Sequence, residues 1–210
     1  MPYSRGTSNN IIVGAAALFV ADTTLTPGTL EAFDASESFK DTLTADAAYT
    51  NVGYTMNGLE LQFQPDFGEV QVDQILDVAK LYKQGMQVNL ATAFAEATLE
   101  NLLLALAFSD AQLTGNKAAS TGQTLNLSAG ELGECPVERG IVAVGPGTGD
   151  CDNSDSVERV YTAYRALSIE NVTVSAKRDE ASMFEVSFRL LPDDLTATYG
   201  KIVDRTHTAS

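Results

Sequence analysis

The residues able to do chemistry are few, and their spacing argues against catalysis. His207 is the only histidine and reads as a solvated tail residue, so a Ser-His-Asp or Cys-His arrangement would depend on that tail. Cys135 and Cys151 share one glycine-rich stretch, match no zinc spacing and have no histidine near them. They are either two free thiols or a disulfide closing a loop of roughly 15 residues, which would contribute up to about 3 kcal/mol. Gly145-Pro146-Gly147-Thr148-Gly149 has the glycine count of a phosphate loop but not its lysine and following hydroxyl, and reads as a flexible loop. Asp150, Asp152 and Asp155 could gather around calcium, yet the glycine and distal glutamate of an EF-hand are missing, leaving a solvated acidic loop. Asn126-Leu127-Ser128 and Asn171-Val172-Thr173 match a glycosylation triplet by chance frequency. No catalytic, cofactor or metal set emerges.

Composition points the same way. The 210 residues carry 28 acidic and 13 basic side chains, a formal charge of -15, which opposes tight binding to a phosphate backbone. The same charge suits ordinary solubility, or a surface past which DNA must move without sticking. An apolar share of 44% supplies a core for one sizeable domain. There is no charged-then-apolar leader, and Ile11 to Val20 falls short of the roughly 20 residues that cross a bilayer. A soluble chain without a signal peptide or membrane insertion is expected.

The elements that would position anything polar are mostly strands. Residues 1–10 lack periodicity and read as an N-terminal arm, followed by a strand over Ile11 to Ala21. Residues 22–51 read as a long loop with a short turn of helix, of the kind that is functional or ordered by a partner. Leu59, Leu61 and Phe63 alternate with Glu60, Gln62 and Gln64, and Val70 and Val72 with Glu69, Gln71 and Asp73. Pro65-Asp66-Phe67-Gly68 between them predicts a hairpin turn, which puts the polar residues of both runs on one acidic face. Ile75 to Tyr82 fits either a short helix or an irregular strand ending at Gly85.

From Met86 to Glu96 the apolar period is two, with Val88, Leu90 and Phe94 on the core side. Gln87, Asn89, Ala91, Ala93 and Ala95 face away from it, a second row that is small and uncharged. Leu99, Leu102, Leu103 and Leu106 then recur at helical spacing behind Thr98 as cap, predicting a helix of about three turns packed on the sheet. Residues 110–157 read as a glycine-rich insertion carrying at most one extra hairpin. Strands follow at Val160 to Arg165, Ile169 to Ala176 and Met183 to Leu191. In the last of these Phe184, Val186, Phe188 and Leu190 alternate with polar residues. The fold class is mainly β: an antiparallel sandwich or partial barrel with one flanking helix and long loops, in a single domain over 1–210.

The order of parts resembles the tail tube (major tail) proteins of long-tailed, siphovirus-like bacteriophages. The resemblance lies in Gly53-Tyr54-Thr55-Met56-Asn57-Gly58-Leu59 leading into the hairpin, Val88 to Glu96 followed by Ala97-Thr98-Leu99-Glu100-Asn101-Leu102-Leu103, and Phe184 to Leu191 running into Pro192-Asp193-Asp194 and Tyr199 to Asp204. It covers roughly residues 50–108 and 158–205. It implies a virion structural protein, assembled in the host cytoplasm, whose subunits close into hexameric rings that stack into a tube. Its partners would be further copies of the chain and the tape measure, tail terminator and baseplate proteins, with DNA passing through unbound. Glu60, Gln62, Glu69, Gln71 and Asp73 would line the channel, and residues 1–10 and 22–51 would join rings. Residues 110–157 depart from the compact pattern. The competing readings are the tube of a contractile injection system, a β-sandwich carbohydrate-binding or adhesive virion module, and a calcium-dependent hydrolase. A carbohydrate module calls for exposed aromatic platforms, and the chain has no tryptophan.

Overall fold

The computed structural model describes residues 12–28, 36–118, 122–148, 155–174, 178 and 181–208. The elements run β1 (Ala17–Ala21), α1 (Phe39–Ala45), β2 (Tyr49–Asn51), β3 (Thr55–Gln71), β4 (Val78–Phe94), α2 (Leu99–Ala105) and β5 (Leu113–Gly115). After these come β6 (Gln123–Leu125), β7 (Arg139–Pro146), β8 (Asp155–Ser168), β9 (Phe184–Leu191) and β10 (Gly200–Thr208). The main sheet is antiparallel with order β2-β1-β7-β8-β9-β4-β3, and β5 and β6 form a separate small pair. The class is mainly β and consistent with a sandwich that does not close into a barrel.

The sheet forks at β8. One edge of β8 pairs with β7; the other pairs with β10 from Asp155 to Ala163 and with β9 from Arg165 to Ser168. Beyond the fork the β9-β4-β3 limb folds over the β1-β7-β8 layer. Leu18, Val20, Ile141, Ala143 and Ala163 therefore share one buried cluster with Val88, Leu90, Phe94, Phe184, Val186 and Phe188. The opposite face of the β1-β7-β8 layer is buried too, because Phe39 and Leu43 of α1 pack on Phe19, Val142, Val144 and Val160. Burial from both sides explains why β7 is buried at every position from Arg139 to Gly145 and shows no alternation.

Several expectations change here. The first strand is only Ala17–Ala21. Residues 22–51 hold the short helix expected there, as α1, and in addition the strand β2, with 29–35 outside the described residues. No turn forms at Pro65-Gly68: β3 runs through it, with an irregularity opposite Gln84, and the hairpin turns at Val72–Asp77 instead. Proline is tolerated because β3 is the edge of the sheet, where half the backbone N–H groups have no strand to meet. The residues around Ile75 to Tyr82 accordingly form the turn and the start of β4, which continues through Gly85. The glycine-rich stretch 110–157 is not merely an insertion, since it supplies the central strand β7 as well as the β5–β6 pair. Residues 169–174 are not strand, and β10 is an additional one.

His207 is buried, against the expectation of a solvated tail, because β10 pairs with β8 along its whole length. Its Nε2 lies 3.4 Å from the Glu158 carboxylate. Glu158 also accepts hydrogen bonds from the Ser38 hydroxyl and, at 3.0 Å, from the Phe39 backbone N–H. A carboxylate on β8 thus caps α1 from outside the helix, satisfying a first-turn N–H that the helix cannot pair itself. Glu158→Ala should cost about 2–4 kcal/mol by stranding buried donors. Amide exchange over Phe39–Ala45 should accelerate more than over β4. On the solvent side of the same strand pair, Arg159 donates to Asp204 at 2.6 Å and holds the Asp204 carboxyl below the usual range.

Candidate functional site

Alternation along β3, β4 and β9 produces two unlike faces. The even residues of β4 (Val88, Leu90, Phe94) and of β9 (Phe184, Val186, Phe188) point into the core. The residues between them form an outer face whose rows follow from the registers. One row is Gln62, Asn89 and Arg189; the next is Glu60, Ala91 and Ser187; Ala93 and Glu185 pair beyond it. Gln64 and Gln87 extend it toward the hairpin tip. Gln87 donates to Asn89 at 3.3 Å, an amide contact within the face itself.

This face carries glutamine, asparagine, alanine, serine and isolated charges, and none of the residues in those rows is a large apolar one. A sheet that buries one side ordinarily shows water a polar other side. Here the second side spans β9, β4 and β3, is covered at Ala93 and Ser187, and ends at an edge of β3 that no strand among the described residues pairs. Glu60 and Glu185 are exposed, as is Arg189, so cation and anion are interspersed and phosphate meets no basic patch.

The five polar residues expected on one face do not share it. Glu60 and Gln62 lie on the polar face, but Glu69 and Gln71 are an odd number of residues further along the same strand and point to the other side. Asp73 sits in the turn. The error follows directly from the misplaced turn: a hairpin at Pro65-Gly68 would have folded Gln71 back beside Gln62 and Asp73 beside Glu60, whereas a continuous strand does not. All five are exposed. The outward row of β4 does join this face, with Gln87, Asn89 and Ala91 on it and Ala93 buried at its end. Glu185, Ser187 and Arg189 of β9 were missed, although the clean alternation of Phe184 to Leu190 carries the signal for them.

The core residues are placed more nearly as expected. Val88, Leu90, Phe94 and Leu103 are buried, and Leu102 packs partly on the same cluster. Leu99 and Leu106 are half-buried, while Leu104 and Ala105 are buried. The helix is two turns rather than three: Thr98 accepts from the Asn101 N–H as an N-cap, and Leu106 ends it. Asn101 donates to the carbonyls of Val52 (2.8 Å) and Glu96 (2.9 Å), tying the helix start to the segments that leave β2 and β4.

Among the described residues no group of three or more histidine, cysteine or acidic side chains is arranged to hold a metal ion. Cys135 is an exposed free thiol. Cys151, Asp150, Asp152 and the arm 1–10 lie outside the described residues. No described helix is long and apolar enough to cross a membrane. No family model matches the chain, and no curated protein matches it.

Proposed function

We propose that the protein is a self-assembling structural subunit of a phage tail tube, in which the polar face of β3, β4 and β9 lines the channel. The observation that carries the reading is that face: polar across β3, β4 and β9, backed by a buried side along β9 and along β4 from Val88 onward, with β3 paired on one edge only among the described residues. An open edge of 17 residues is an aggregation hazard in an isolated molecule and is satisfied when neighbouring copies continue the sheet around a ring. The resemblance in the order of parts supplies the hexameric ring and the stacking into a tube. The net charge of -15 suits a wall that phosphate must pass without adhering. In this role the protein has no reaction to perform and DNA is cargo rather than ligand.

Negative-stain electron microscopy of the purified chain tests the reading at the coarsest level. Stacked rings or uniform tubes are expected. A monodisperse monomer at every concentration, with affinity for a glycan array, would instead identify an adhesive module.

A further inference from the structure

The fork in the sheet leaves an apolar cleft. It lies between β10 and the part of β4 that precedes Val88, has a volume of ≈ 610 Å³, and is floored by residues such as Leu61, Phe63 and Met86. Tyr199 closes one corner by donating its hydroxyl proton to the Met86 carbonyl at 2.6 Å. Among the described residues both bounding strands have an open edge here: β10 pairs with β8 alone, and β4 gains its second neighbour, β9, from Val88 onward. The lining includes Lys83 and Lys201 and no carboxylate, in a chain whose acidic residues outnumber its basic ones 28 to 13.

The complement of this cleft is at the tip of the β3–β4 hairpin. The turn Val72–Asp77 presents Ile75 at 53% and Leu76 at 111% relative exposure, flanked by Asp73 and Asp77. Two bare aliphatic side chains between two carboxylates match an apolar cleft bearing two lysines. The tip cannot reach the cleft of its own molecule. Lys83 stands on the same hairpin, about 23 Å of strand from Leu76 at the usual rise, and the strand between them is held extended by pairing with β3.

We infer that the hairpin tip of one subunit inserts into the β4–β10 cleft of a second copy, with Ile75 and Leu76 on its apolar floor and Asp73 and Asp77 toward Lys83 and Lys201. The two surfaces differ, so the contact is head-to-tail and propagates from copy to copy until a ring closes or a filament extends. It rests on the self-assembly reading and adds to it the specific surfaces that meet.

The test is a disulfide cross-link in the full chain, with Leu76→Cys at the tip and Thr198→Cys at the cleft wall in a Cys135→Ser/Cys151→Ser background. Particles of the reduced variant are first checked by electron microscopy and then oxidised. A denaturing gel showing a ladder beyond dimer, with no cross-linked dimer in either single-cysteine parent, is the expected result, since tip-to-tip and cleft-to-cleft bonds would dimerise the parents and only a tip-to-cleft bond would not. Rings or tubes without that ladder would overturn the tip-to-cleft contact while leaving self-assembly standing. A monomer in the reduced variant and in the unmodified chain would overturn both.

Discussion

Phe94→Ala should lower the unfolding free energy by about 3–5 kcal/mol, the largest stability effect expected of any single truncation in the sheet. Phe94 is fully buried near the end of β4, where the two layers close on each other. Its ring lies 6.4 Å from that of Phe188 at a tilted angle, an arrangement that adds to plain burial. It belongs to the cluster in which β1, β4, β7, β9 and α2 meet, so the void left by alanine has rigid walls on several sides and collapses poorly. Denaturant titration should show a lower midpoint with an unchanged slope, because the surface exposed on unfolding stays nearly the same. A shift below about 1 kcal/mol would mean that the layers are not packed as described.

The second large effect concerns charge on the polar face. Glu60→Lys with Glu185→Lys replaces two exposed anions by cations on a face that already carries Arg189. Both substitutions are at exposed positions, away from the buried cluster, so folding and ring formation should be preserved. The consequence should appear in contact with DNA. In the proposed ring the change would be repeated by every subunit, and the channel wall would turn from one that phosphate passes into one that condenses it. Particles carrying the variant should eject DNA more slowly than the unmodified virion, by an order of magnitude or more, and the delay should shrink as salt is raised, since released counterions drive such binding. Unchanged ejection in well-formed tubes would remove this face from the channel. Glu69→Lys serves as the contrast, because its side chain lies on the opposite side of β3 and should leave ejection unaltered.

That contrast also shows how far the sequence could be read. The apolar row of period two in Val88 to Phe94 and in Phe184 to Leu190 is buried as its pattern records, although Ala93 and Ser187 of the outer row are covered as well. The cap at Thr98 was legible for a similar reason, since capping is local chemistry. Pro65-Gly68 misled because turn residues describe local preference, and an edge strand has room for a proline that a central strand would reject. Strand β7 was hidden in a glycine-rich stretch, as burial on both faces replaces alternation with a short run of small and β-branched residues. The burial of His207 had no local signature at all: it comes from the pairing of β10 with a strand some forty residues earlier and from a Glu158 that also holds α1. For the candidate surface the rows on β4 and β9 were readable strand by strand, but which strands lie side by side depends on the order β9-β4-β3, and that is a property of the whole sheet.

The central claim is that Asn89, Ala91 and Arg189 look onto a channel. A cryo-electron microscopy reconstruction of the assembled protein tests it most directly. Expected is a tube whose inner wall is a continuous sheet built from β3, β4 and β9 of successive subunits, with the rows through Gln62–Asn89–Arg189 and Glu60–Ala91 facing the lumen. A tube in which those rows face outward, or are buried between stacked rings, would contradict it.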